Sequence, residues 1–152
     1  MNWQGAEAYV AELVEGELVT DKEAQLRDID VKSDGLTYSV KLQKAAAKYG
    51  NASFEVELAD EDGNKMLGNF ARCQADRCVI VIPWPDHTET LCFHTSTLKW
   101  WLEKQQYPRK GLTLAAIATN GDRRFKYATN IIVPLKDLRS VCDWQVLETP
   151  AK

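Results

Sequence analysis

Arg27-Asp28-Ile29-Asp30-Val31, then Lys32-Ser33-Asp34-Gly35, then Tyr38-Ser39-Val40-Lys41-Leu42-Gln43 is the stretch on which the reading of this chain turns. Ile29 and Val31 alternate with Asp28 and Asp30, four turn-forming residues follow, and a second run alternates again. In that run Tyr38, Val40 and Leu42 share one face, and Ser39, Lys41 and Gln43 share the other. A period of two on both sides of a polar turn predicts a β-hairpin. Pairing of its strands brings Asp30 beside a row holding a lysine and two hydrogen-bonding side chains. A carboxylate next to an ammonium, with polar neighbours to complete a shell, is suited to holding a divalent cation and steering a water molecule. Any half-exposed hairpin shows the same alternation, with its charges merely solvated.

Outward from the hairpin, residues 5–15 carry Ala6, Val10, Leu13 and Val14 at near-helical spacing, which predicts a helix closed by Gly16. Glu7 lies in its first turn, a place the helix dipole favours for an acid whatever its function. Between helix and hairpin, Leu18-Val19 is read as a short extended piece, and Arg27 as the ion-pair partner of Asp28. On the far side, Lys44 to Tyr49 is read as one helical turn closed by Gly50-Asn51. Ser53 to Leu58 alternates again, with Phe54, Val56 and Leu58 inward and Glu55 and Glu57 outward.

The order of a helix carrying Glu7, a strand ending in Asp30 and a strand carrying Lys41 resembles the core of the restriction-endonuclease-like, PD-(D/E)XK, nuclease superfamily. Asp-Ile-Asp-Val (28–31), Ser-Val-Lys-Leu-Gln (39–43) and Asn-Ala-Ser-Phe-Glu (51–55) are similar to small phage-encoded nuclease-like proteins, and more distantly to Holliday-junction resolvases. The likeness covers roughly residues 5 to 57. It implies a metal site of Asp30, Glu7 and Glu55 holding Mg2+, or Mn2+, with Lys41 and Gln43 completing the catalytic group. It also implies cleavage of duplex or branched DNA, a homodimer with one site per strand, and a host cytoplasmic location. The chain departs from the pattern at Ser39, which stands where the superfamily has its second carboxylate and cannot supply the charge magnesium needs. Either the carboxylate has migrated to Glu55 or the site is catalytically dead. The second case describes a noncatalytic accessory or anti-defence factor that binds a protein partner.

The rest of the chain supplies the scaffold. Asp60 to Asn64 is read as an acidic turn and residues 70–74 as a short helix. Residues 77–83 form a near-continuous apolar run, which predicts a central strand, with Thr88 to His94 as its hairpin partner. Residues 97–106 are read as a helix with Lys99 and Lys104 on its polar side, Asn130 to Leu135 as a strand, and 135–142 as a short helix. The order of elements predicts a single α/β or α+β domain with a mixed central sheet.

At 152 residues, 45% apolar and 27% charged, the composition excludes disordered, fibrous and membrane classes and allows one core. The first residues lack a basic segment followed by an apolar run, so neither export nor membrane insertion is expected. The four cysteines, Cys73, Cys78, Cys92 and Cys142, then read as reduced thiols, with a zinc module of Cys73, Cys78, Cys92 and His94 as the alternative. The net charge of −3 conceals a split: residues 1–94 hold 9 Lys/Arg against 17 Asp/Glu, and residues 95–139 hold 9 against 3. Arg109 and Lys110, read as an exposed loop, and Arg123, Arg124 and Lys126, interleaved with aromatics after a turn at 119–122, are the candidate nucleic-acid contacts.

Overall fold

In a computed structural model, which describes residues 1–120 and 123–149, with the side chains of 115–123 excepted, the hairpin is the start of a six-stranded sheet. Strand β2 (Val31–Ser33) and strand β3 (Leu36–Leu42) pair antiparallel across a two-residue turn, with Ser33 opposite Leu36. Asp34 and Gly35 both take positive φ, 49° and 77°. Such turns match the twist of the flanking strands, which is why Asp-Gly suits the position. The first arm is shorter than the alternation predicts, because residues 28–30 leave the ladder.

The remaining strands of this sheet are β1 (Glu17–Leu18), β6 (Arg77–Pro83), β7 (Thr88–His94) and β10 (Trp144–Glu148), in the order β1-β2-β3-β6-β7-β10. Only β3 and β6 pair parallel; the other neighbours are antiparallel. A parallel pair needs a long crossover. The chain makes one by leaving β3 through helix α3 (Lys44–Tyr49) and strands β4 (Asn51–Ala59) and β5 (Lys65–Leu67) before returning as β6. Those two strands join β8 (Arg109–Asn120) and β9 (Arg123–Pro134) in a second sheet of order β5-β4-β9-β8. The fold is α+β with a mixed central sheet flanked by helices.

Both faces of the central sheet are covered. Helix α1 (Trp3–Leu13) lays Ala6, Val10 and Ala11 on Val31, Tyr38, Val40, Val79 and Val81. On the opposite face Cys78, Ile80, Ile82, Leu91 and Phe93 meet three elements. These are helix α4 (Thr95–Gln105), helix α5 (Leu135–Val141) and the inward side chains Ala52, Phe54, Ile131 and Val133 of the second sheet. This two-sided burial explains the unbroken apolar run of β6, every interior residue of which is buried. Cys78 and Cys92 are buried among these side chains, Cys73 is buried separately with Ile29 and Ala75, and Cys142 is half-buried. At the β7 end, fully buried Glu89 accepts from Arg139 at 2.7 and 2.8 Å, Trp84 at 2.9 Å and Gln145 at 2.8 Å, tying β7 to α5 and β10. No helix among the described residues is long and apolar enough to cross a membrane.

Several expectations are corrected. Arg27 pairs with Glu23 on the short helix α2 (Lys22–Leu26), not with Asp28. Arg109 and Lys110 begin strand β8 instead of forming a loop. Residues 70–74 make turns instead of a helix, and Lys99 is not on a free polar face. Its ammonium donates to the carbonyls of Ala71 and Cys73 at 3.0 and 2.7 Å, pinning that turn against α4. Gly121 and Asp122 of the turn at 119–122, together with the Arg123 side chain, lie outside the described residues.

Candidate active site

Asp28 has φ of 60°, which bends the chain away from β3 just before β2 begins. Just outside the ladder, the Asp30 N–H donates to the Tyr38 carbonyl at 2.8 Å, and its carboxylate accepts from the Val40 N–H at 2.7 Å. The carboxylate stands where a strand carbonyl would otherwise sit. It is thereby fixed at the edge of a cleft of about 690 Å³ that opens where β3 and β4 end beside α1.

Glu7, Asp30, Lys41, Gln43 and Glu55 all line this cleft. Helix α1 contributes Glu7 from the same side as its buried Ala6 and Val10. Burial, the carboxylate of Asp30 and then that of Asp28 push its pKa up to about 7. Burial raises Asp30 to about 6, with the Asp28 charge adding to the rise and the Val40 N–H and Lys41 opposing it. Glu7 Oε2 is buried without a hydrogen-bond partner. Lys41, on the face opposite the α1 packing, forms an ion pair with Asp28, both side chains being mostly buried. Burial works against its ammonium, but the Asp28 charge and hydrogen bond, together with the neighbouring Cys78 and Cys73 thiols, more than offset this and leave its pKa above the usual lysine value. Lys41 is therefore a cation and not a base.

Two other residues are engaged structurally. The Gln43 amide donates to the Ser53 carbonyl at 2.9 Å and accepts from the Ser53 N–H at 3.2 Å, fastening the end of β3 to β4 across the two sheets. One Glu55 oxygen accepts from the Asn69 N–H at 3.0 Å, and the Glu55 carbonyl accepts from Phe70 N–H at 3.0 Å. Glu55 thus holds the 68–72 turn at the cleft wall.

That turn brings in residues the sequence reading did not single out. Arg72 lines the cleft, donating to Asn69 Oδ1 at 2.5 Å while its Nε is buried and unpartnered. Asn130, opposite Glu55 in the β4–β9 register, donates to Ser53 Oγ at 3.3 Å and leaves its Oδ1 unpartnered. Trp3, Gln25 and Asp28 complete the rim and wall. Only Asp28 carried a signal in the sequence, its place two residues before Asp30. Ser39, by contrast, is fully buried and is not part of the cleft lining.

The proposed nucleic-acid residues lie apart from the carboxylates on the second sheet. Lys110 pairs in register with Asn130, which places it next to the cleft. Arg124 is exposed near the other end of the hairpin, and Lys126 forms an ion pair with Glu61. His87 stacks on Trp84 and pairs with Asp86, while His94 pairs with Asp143.

Among the described residues, no three His, Cys, Asp or Glu side chains stand close enough to form a ready-made metal site. The chemistry of the cleft nevertheless fits a divalent cation. It gathers four carboxylates, from Glu7, Asp28, Asp30 and Glu55, against two cations, Lys41 and Arg72. Two of those acids are held high by burial and by the charge of neighbouring aspartates, and one buried oxygen lacks a partner. Comparisons with protein-family models, curated proteins and solved structures found no match to this chain.

Proposed function

We propose that this cleft is the active site of a metal-dependent nuclease of PD-(D/E)XK type, hydrolysing DNA phosphodiester bonds. The observation that carries the reading is the meeting of unpartnered polar atoms. Glu7 Oε2, Arg72 Nε and Asn130 Oδ1 are each buried without a partner, and all three residues line the cleft that holds Asp30 and Lys41. Buried polar atoms are nearly always satisfied, so three exceptions around one hollow argue for a polar ligand.

In this reading Glu7 and Asp30 would hold Mg2+ or Mn2+, with Glu55 lining the same cleft. When bound, the cation supplies an activated water and neutralises phosphate charge. Lys41, kept cationic by Asp28, stabilises the negative charge that develops on the phosphate. Arg72, oriented by Asn69, holds a nonbridging phosphate oxygen. Gln43 positions β3 against β4 and so sets the spacing between Lys41 and Glu55. Lys110 binds the DNA backbone beyond the cut without reading its sequence.

The burial of Ser39 accounts for the departure from the superfamily pattern. A carboxylate at that position would sit inside the sheet, whereas Glu55 is already in the cleft. A second reading, a noncatalytic binding protein on this scaffold, is favoured by the wide spacing of the carboxylates. Incubation of supercoiled plasmid and of branched DNA with Mg2+ or Mn2+ separates the two. Cutting that is lost in Lys41→Ala and Glu55→Ala variants that remain folded supports the nuclease. A protein that cuts neither substrate with either metal belongs to the second reading.

A further inference from the structure

The packing stripe of α1 runs past the end of the sheet it covers. Ala6 and Val10 are fully buried on that stripe, but Trp3, one turn earlier, is 54% exposed and lines the cleft. Trp3 and Glu7 are four residues apart, so they stand on one side of the helix, the indole next to the carboxylate. Asn2 caps the helix by accepting from the Gly5 N–H at 2.7 Å, which fixes the first turn that carries Trp3. Gln25, an exposed amide with donor and acceptor, lines the same cleft.

An acidic cleft poses a problem for a protein that binds a polyanion. With four carboxylates against two cations, electrostatics in the cleft oppose a phosphate chain before a metal is bound. Some affinity must then come from contacts that carry no charge. Stacking on an indole supplies affinity without charge and works for any base. A base inside a duplex has both faces covered by its neighbours, so an indole at the rim reaches only a base that is unpaired or pulled from the stack.

We infer that Trp3 is a stacking platform for an unpaired nucleobase, with Gln25 at the base edge, and that the cleft selects strands unpaired beside the cut phosphate. The inference rests on the nuclease reading and specifies its substrate. Branch points, flaps and single strands are bound through Trp3. Continuous duplex engages only the backbone contacts.

The test is equilibrium binding of the full chain, in Ca2+, to a fluorescent single strand of twelve thymidines and to a blunt duplex of equal length. Wild type, Trp3→Ala and Trp3→Phe are compared, with thermal melting confirming that each is folded. Trp3→Ala is expected to weaken single-strand binding about tenfold and to leave duplex binding unchanged, and Trp3→Phe to restore most of the loss. Equal weakening of both ligands, no weakening of either, or no single-strand binding by a protein that cuts plasmid overturns the stacking role and leaves the nuclease reading standing. Failure of the wild-type protein both to bind these ligands and to cut DNA removes that reading, and this inference with it.

Discussion

Lys41 gives its ion pair to Asp28, and Asp30 is held instead by a backbone N–H, that of Val40. The two aspartates of one short motif therefore do different work. Asp28 keeps the lysine charged and in place, and Asp30 is left with a free oxygen facing the cleft.

Because the Lys41–Asp28 pair is mostly buried, removing one partner strands the other's charge. Lys41→Met is expected to cost about 3–5 kcal/mol, and the double variant Lys41→Met/Asp28→Asn to recover most of that. Urea denaturation measures both. Cleavage should be absent in both variants, so the double variant distinguishes loss of the lysine from loss of the fold. A double variant no more stable than the single one would show that the pair is not coupled.

Glu7 and Asp30 bind protons more readily in the folded chain, with pKa values near 7 and 6 against 4.5 and 3.8 for the free side chains. The folded state holds extra protons between those limits, so this contribution to stability falls as pH rises through the window. The metal-free melting temperature should drop between about pH 4 and pH 7. Mg2+ should raise it more at the upper end, where protons no longer compete for the carboxylates. A metal-induced shift that is the same at both ends would place cation binding elsewhere.

Glu89 behaves in the opposite sense. Arg139 first, then Trp84 and Gln145, hold its pKa down to about 2 although burial opposes them. Its contribution is present above the ordinary glutamate range and lost as pH falls from about 4.5 towards 2. Glu89→Ala removes the shared acceptor of Arg139, Trp84 and Gln145 and, because Arg139 stays partly solvated, is expected to cost about 1–3 kcal/mol. Acid denaturation should also begin at higher pH in the variant. The site is remote from the cleft lining, so residual activity should scale with the folded fraction.

Gly68 lies against the backbone of Glu55. A Cβ there would stand 2.7 Å from the Glu55 carbonyl oxygen. Gly68→Ala must push the 68–72 turn outward, at a cost of about 1–3 kcal/mol, and carries Asn69 and Arg72 with it. The expected result is a protein that still folds, binds DNA more weakly and cuts it more slowly. Unchanged binding and cutting would remove Arg72 from the phosphate-holding role.

Local patterns made much of the frame readable. The hairpin followed from alternation around Asp34-Gly35, the central strand from its unbroken apolar run, and α3 from a short alanine-rich stretch ended by a left-handed glycine. The second sheet was harder to see. Its strands β4 and β9 pair residues such as Glu55 and Asn130, far apart in the chain, and no local period encodes that register. Arg72 was hidden for a related reason. It reaches the cleft because Glu55 and Lys99 pin an irregular turn, and such contacts are tertiary. Strand β10 was not read as a strand, because it is made by pairing with β7, far away in the chain.

The most direct measurement is relaxation of supercoiled plasmid in Mg2+ by the wild-type protein and by Asp30→Asn, which preserves shape and the Val40 N–H bond while removing the charge. The account predicts metal-dependent nicking or linearisation by the wild type, abolished by EDTA and by the single substitution, in a variant that melts no lower than the wild type because the buried charge is gone. Cutting that persists in Asp30→Asn would contradict it, because the cleft around that carboxylate would then not be where the chemistry occurs.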